Sequence, residues 1–274
     1  MIRRSRTFAV AAVLSLAACT DSTTPAPVDA KAVLAASTAG LSVGNYRFTA
    51  VMPDARIEGV TDFASRSAAW TTTYHYAGRM DLEMRLIGPD QYTRARHDAT
   101  SAAEKKKELR KTAAATDDPG TKADVAAEIR EIDTGDSRYR HLDLSRIPER
   151  AAAMGLNVTD PDRTGATRLL PWARDATVDG ATIRGTLVVP GPLGGSDALA
   201  LISQRLVGTL AFTASIDERG RLSRLEIDLP ASQGPTHPAG RWTLTVDGYG
   251  TTPAPERPTA IKETPEDTYR TLRS

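Results

Sequence analysis

Between Met80 and Leu86 the chain alternates without a break. Met80, Leu82, Met84 and Leu86 fall on one side, and Asp81, Glu83 and Arg85 on the other. Only an extended strand, whose successive side chains point to opposite faces, turns a period of two into one apolar and one wetted surface. The pattern recurs along the chain. Tyr46, Phe48, Ala50 and Met52 share a face over Asn45 to Met52, and Trp70, Thr72, Tyr74 and Tyr76 share the next. Further on come Ile183, Gly185, Leu187 and Val189; then Leu210, Phe212, Ala214 and Ile216; then Leu225, Ile227 and Leu229; then Trp242, Leu244 and Val246. Gln91 to Arg96 reads as extended, and a linking strand is expected around Ile57 to Phe63. Gly88-Pro89-Asp90 and Asp217-Glu218-Arg219-Gly220 supply turns between such runs. Strands of this kind bury one face and leave the other to water.

Helical signals are fewer. Lys31 to Ser42 is rich in Ala and Leu, and Asp197 to Arg205 follows Ser196 with Leu199, Ile202 and Leu206 at helical spacing. Arg168 to Arg174 suggests a short helix near Trp172. Residues 100–133 stand apart, because Ala102 to Ala115 and Thr121 to Ile132 are rich in Ala, Lys, Glu and Arg and are broken by Asp117-Asp118-Pro119-Gly120. They read as a charged helical hairpin inserted between strands. The expected fold class is α+β: a strongly curved antiparallel sheet, a half-barrel of about ten strands, with helices covering its concave face.

The N-terminus reads as an address. Arg3, Arg4 and Arg6 precede an apolar stretch from Phe8 to Ala18, which is shorter than the ~20 residues a membrane span needs. That combination fits a signal peptide over residues 1–18. Leu16-Ala17-Ala18-Cys19 resembles the lipobox of bacterial lipoproteins. The resemblance implies that Cys19 takes a diacylglyceryl thioether, becomes the new N-terminus and carries acyl chains such as palmitate. Residues 19–31 then form a lipidated start and flexible tether, and residues 251–274, with Pro253, Pro255, Pro258 and Pro265, a loosely ordered Pro-rich tail. Cys19 is the sole cysteine, so the chain has no internal disulfide and no Cys-based zinc site. Without the three arginines of the first eighteen residues, 32 basic groups face 34 acidic ones, so there is no global pull toward nucleic acid.

Residues 32–250 carry a second resemblance. A lipobox is followed by an Ala/Leu helix, the Tyr46 to Phe48 strand, Ile183 to Val189, the run from Phe212 to Ile227, and Trp242 to Gly250. This order resembles the LppX/LprG-type lipoproteins, relatives of the periplasmic carrier LolA. Asp217, Gly220, Arg221, Leu222, Arg224 and Leu225 match that family's hairpin, and Tyr249-Gly250 match its ending. The hairpin at 100–133 departs from the family. The resemblance implies an apolar cavity for acyl chains between the half-barrel and its helices, with no cofactor, no metal and no catalytic residues.

On this reading the cavity candidates are Tyr46, Phe48, Trp70, Tyr74, Met80, Leu82, Met84, Leu86, Ile183, Leu187, Phe212, Ile216, Trp242 and Leu244. Broad aromatics and adaptable methionines suit a lipid pocket. Pattern alone favours an ordinary core packed by helices, and only the family resemblance leaves both readings open. The Lys105-Lys106-Lys107 run likewise reads as a contact for anionic headgroups or as a solvated helix face flanked by Glu104 and Glu108. Enzyme signatures are wanting: there is no G-x-S-x-G, the Gly-rich 191–196 segment lacks a P-loop lysine, and His75, His97, His141 and His237 show no metal-ligand spacing. The expectation is a non-enzymatic lipoprotein on the outer side of the cell membrane. Its expected partners are the membrane through the lipid anchor, a lipid or glycolipid ligand, and an envelope transporter. The alternative is an interaction module with a solid core that grips a partner protein through its surface or the hairpin.

Overall fold

The computed structural model describes residues 28–75, 78–153, 156, 160–193, 198–199, 202–231 and 239–273. The signal segment, Cys19, Tyr76, His237, Asn157-Val158-Thr159 and parts of the Asp197 to Arg205 segment lie outside them.

The chain enters through α1 (Ala30–Ser37), whose N-cap Asp29 accepts from the amides of Lys31 and Ala32. After α2 (Ala39–Val43) come five strands in succession: β1 (Asn45–Met52), β2 (Ala55–Asp62), β3 (Ser67–Tyr74), β4 (Met80–Ile87) and β5 (Asp90–His97). Gly88 and Pro89 alone join β4 to β5, and Gly88 takes the left-handed φ of +58° that so tight a turn requires. The helical hairpin follows as α3 (Ala99–Ala114) and α4 (Pro119–Thr134), then β6 (Tyr139–Asp143), α5 (Pro148–Ala153) and α6 (Ala166–Leu169). A second run of strands comprises β7 (Ala173–Asp179), β8 (Thr182–Val189), β9 (Gly208–Ile216), β10 (Leu222–Leu229) and β11 (Gly240–Asp247). The chain closes with β12 (Ile261–Glu263) and α7 (Glu266–Arg273).

All twelve strands form one sheet in the order β12-β6-β5-β4-β3-β2-β1-β11-β10-β9-β8-β7, which is not closed into a barrel. The expectation of an α+β chain on one large sheet stands. The extra strands are the ones that do not alternate. β7 is an edge strand, largely exposed, with an irregular register between Arg174 and Thr177. β6 mixes charge into both faces, and β12 has only three residues, paired parallel to β6. At Asp197 to Arg205 the described residues form a turn at Ala198–Leu199 and a 3-10 turn at Ser203–Arg205. Leu199, Ile202 and Leu206 are nonetheless fully buried.

Register decides what the two faces are made of. Phe48 pairs with Gly59 and Val246, Gly59 with Trp70, and Trp70 with Met84. Across the junction, Leu244 pairs with Leu225, Trp242 with Ile227, Ile227 with Phe212, and Ala214 with Ile183. All of these but Gly59 and Met84 join Leu34, Leu41, Ile147, Leu169, Leu199 and Tyr269 in one core cluster, against which Met84 packs, so the helices cover this face. At Gly59 an added Cβ would meet the Phe48 ring at 2.4 Å and the Trp70 Cβ at 2.9 Å. Gly59→Ala is expected to destabilise the protein by about 1–3 kcal/mol through overpacking, read as a lower urea midpoint with an unchanged slope.

The family-like hairpin motif is structural chemistry. Asp217 accepts from the amides of Arg219 and Arg221 and pairs with the Arg221 guanidinium at 2.7 Å. Arg221 lies over the Tyr249 ring at 4.5 Å, and the Tyr249 hydroxyl donates to the Leu222 carbonyl at 2.6 Å. The matched residues of the two motifs therefore meet in space.

The expectation of a loose tail is corrected. Thr252 exchanges two hydrogen bonds with Asn45, Arg85 donates to the Glu256 carbonyl at 2.7 Å, and Pro258 is buried. The segment crosses the open face of the sheet as an extended strap to β12. Proline forbids ladder pairing but favours extended backbone, which suits a strap that lies across strands rather than joining them.

Candidate functional site

The fourteen cavity candidates lie on the helix-covered face, as the register requires. They divide by burial. Tyr46, Phe48, Trp70, Leu86, Ile183, Leu187, Phe212, Trp242 and Leu244 are buried within the core cluster. Tyr74, Met80, Leu82, Met84 and Ile216 are half-buried. Of these, Tyr74, Met84 and Ile216 pack against the cluster, whereas Met80 and Leu82 do not belong to it.

A cleft of about 880 Å³ lies over the strand next to β4; the half-buried side chains of β4 itself are not part of its lining. Its floor is the next strand: Met84 pairs with Thr93, Leu82 with Ala95 and Met80 with His97, and these three β5 residues line the cleft. One wall is the hairpin, through Ala102 of α3 and Ala127, Glu128, Glu131 and Ile132 of α4. The opposite wall is the C-terminal segment, through Lys262, Pro265, Thr268 and Thr271. Arg140 closes the far side of the floor.

Several charges in this cleft are paired with one another. Glu131 holds Arg140 at 3.0 Å and Lys262 at 2.6 Å, and Asp136 holds Arg138 at 2.9 Å. Two hydrogen bonds from Arg138 and the Lys262 charge keep the Asp136 carboxyl far below the usual carboxylate range. Burial pushes the His97 imidazole down, aided by the Lys105 charge, so it faces the cleft as a weak base. The lining is largely polar and charged, with Ala95, Ala102, Ala127, Ile132 and Pro265 as its apolar part.

The hairpin itself is self-contained. Leu109 and Val125 are buried without joining the core cluster. Lys105 pairs with Glu128 at 3.0 Å, Lys106 with Asp133 at 2.7 Å and Lys107 with Glu104 at 3.4 Å. The lysine run is thus partnered within the hairpin, as a solvated face would be. Among the described residues, no group of three or more His, Cys, Asp or Glu side chains is placed to hold a metal, and no helix is long and apolar enough to cross a membrane.

No family model and no curated protein matches the chain. Among solved structures, a DNA polymerase sliding clamp from Pseudomonas aeruginosa is similar at 9% identity over 80% of this chain, with a TM-score of 0.14. The chain spans 61% of that protein's length. A likeness so distant carries no argument about fold or function.

The residues that sequence reasoning missed are Arg140, Lys262 and Glu131 at the rim and His141 on the reverse face. Lys262 and His141 acquire their partners through β12, which no periodicity announces, whereas Arg140 meets Glu131 of α4 directly. The apolar side of β4 was legible, since Met80, Leu82 and Met84 stand in the clearest alternation of the chain.

Proposed function

We propose that the chain is a membrane-anchored, extracytoplasmic lipoprotein that binds a lipid or a lipidated molecule, held through Cys19. The observation that carries this reading is the half-buried apolar pair Met80 and Leu82, left outside the core cluster on the strand paired with β5, whose Thr93, Ala95 and His97 line the 880 Å³ cleft. A folded chain gains roughly 0.8 kcal/mol for each methylene it removes from water, so apolar side chains left beside a cleft are usually a surface kept for something else. An acyl chain lying on Tyr74, Met80, Leu82 and Met84 would exchange the bilayer for the cleft at little net cost, because one apolar environment replaces another. We extend the reading to a strongly curved half-barrel. It is supported by the single core cluster that unites Trp70 and Leu86 of one half with Ile183 and Leu187 of the other.

The test is native mass spectrometry and lipid extraction of the purified full-length protein, with titration of a dansyl-labelled fatty acid. Wild type is expected to carry or take up lipid. Leu82→Glu is expected to weaken binding by about tenfold or more, because a carboxylate at that position must be desolvated against the acyl chain. Wild type that extracts clean and leaves the probe dark would end the proposal. The second reading, a solid-cored interaction module, is favoured by the nine candidates that are buried and packed within the core cluster. A lipid-free protein with an unchanged fold would leave that one in place.

A further inference from the structure

On the open face, opposite the cleft, His141 of β6 lies between two carboxylates. Its Nε2 is 2.9 Å from Asp90 Oδ1 and its Nδ1 is 2.6 Å from Glu263 Oε2. The ring is stacked on Tyr92 at 5.0 Å, and its side chain is only 12% exposed. Both neighbours are acceptors when ionised. A neutral imidazole owns one N–H and one lone pair, so it can satisfy one of them and must point its lone pair at the other. Only the imidazolium donates to both.

Glu263 is a residue of β12, which is also held by its ladder with β6 and by the ion pairs of Lys262 with Glu131 and Asp136. The Thr264 amide and hydroxyl both donate to the His141 carbonyl, and the Tyr139 amide donates to the Ala260 carbonyl at 2.8 Å. The same three-residue strand carries Lys262 into the cleft on the other face. We propose that His141 is a proton-operated latch: charged, it clamps β12 to the sheet edge, and neutral, it lets β12 and the Lys262 wall of the cleft come away. Beyond it, α7 keeps its own anchor, since the Asp143 amide donates to the Tyr269 hydroxyl at 2.8 Å and Arg146 lies over that ring. The opening is therefore local to the strap and β12.

Other charges face the site. Tyr92 donates to Asp90 at 3.3 Å; Arg257 of the strap lies over the Tyr92 ring; Asp143 is paired in register with Asp90; and Arg85 of β4 stands opposite Tyr92. Burial by itself lowers the His141 value, but the hydrogen bonds and negative charges of Asp90 and Glu263 outweigh it, and the net direction is upward. A raised histidine contributes stability that is complete below its unfolded value and is lost as pH rises through the folded one. The latch therefore closes in acid and opens toward alkali.

Hydrogen exchange on the full chain, corrected for intrinsic rates, tests it. Protection of the Thr264 and Tyr139 amides is expected to fall about tenfold or more between about pH 5.5 and about pH 8.5. Amides of β1 to β3 serve as the control and should hold. His141→Gln, whose amide keeps the same donors and acceptor at any pH, is expected to flatten the dependence. So is Glu263→Gln, a surface change that leaves folding intact and lets neutral His141 find a donor. Flat protection in wild type, or an unchanged pH dependence in both variants, would overturn the latch. The proposal rests on the lipid reading only for what the open cleft admits, and the dansyl fatty acid separates the two. A pH-dependent Thr264 with no probe binding upholds the latch and sinks the lipid reading; bound probe with a flat Thr264 does the reverse.

Discussion

Trp242→Ala is expected to lower the unfolding free energy by about 3–5 kcal/mol in urea denaturation. Trp242 is fully buried on β11, beside Ile227 of β10, where the two halves of the sheet share one core. Its removal leaves a void that flanking strands, locked in register, can close only partly. The indole Nε1 has no hydrogen-bond partner among the described residues. An unmet buried donor costs about 1–3 kcal/mol by itself. Trp242→Phe removes that donor along with part of the volume, so it is expected to cost clearly less than the alanine change. Equal losses for the two variants would mean that packing volume does not set stability at this position.

The second large effect is expected at Glu83, whose carboxylate is shared. Arg94 binds it at 2.6 Å, Arg96 forms a second ion pair, and the Tyr139 hydroxyl donates to it. Arg94 also lies over the Tyr139 ring at 4.2 Å and donates to the Ser137 carbonyl. Glu83→Ala leaves two guanidinium groups side by side with no counter-charge. Breaking a buried pair in this way costs about 3–5 kcal/mol, and the half-exposed Arg96 puts the expectation at the lower end. Burial by itself raises the Glu83 carboxyl. The Tyr139 and Arg94 hydrogen bonds and the charges of Arg94 and Arg96 outweigh that and hold it below its ordinary value. A depressed carboxylate contributes stability that is present above its unfolded value and lost as pH falls through the folded one. Wild type should therefore lose more stability than Glu83→Gln on acidification, in paired denaturation curves at neutral and acid pH. Parallel acid limbs would remove the charge argument.

How far the chain could be read in advance follows from where its apolar residues stand. Where one face is buried and the other wet, as in β1, β3, β8, β9, β10 and β11, alternation marks the strand and even names the side chains that point to the helices. The same reading misses β7 and β12, the two edge strands, and β6 beside one of them, because strands at the margin of the sheet meet neither a continuous core nor a continuous solvent surface. The tail misleads for a related reason. Pro253, Pro255 and Pro258 look like punctuation in a one-dimensional string, yet on the sheet they stiffen a strap that carries β12 to a partner more than a hundred residues earlier in the chain.

Local pattern, then, determined that this chain makes a one-sided antiparallel sheet, where most of its strands lie, and that a charged hairpin interrupts them. Strand alternation and helix periodicity are properties of neighbours along the backbone, so they survive being read as text. Which apolar residues are sealed and which are left beside a cleft was decided only when register aligned β4 with β5 and the hairpin settled on one side. The His141 clamp is likewise a tertiary product. Asp90, His141 and Glu263 come from three separate strands, and only the assembled edge of the sheet sets one imidazole within reach of both carboxylates.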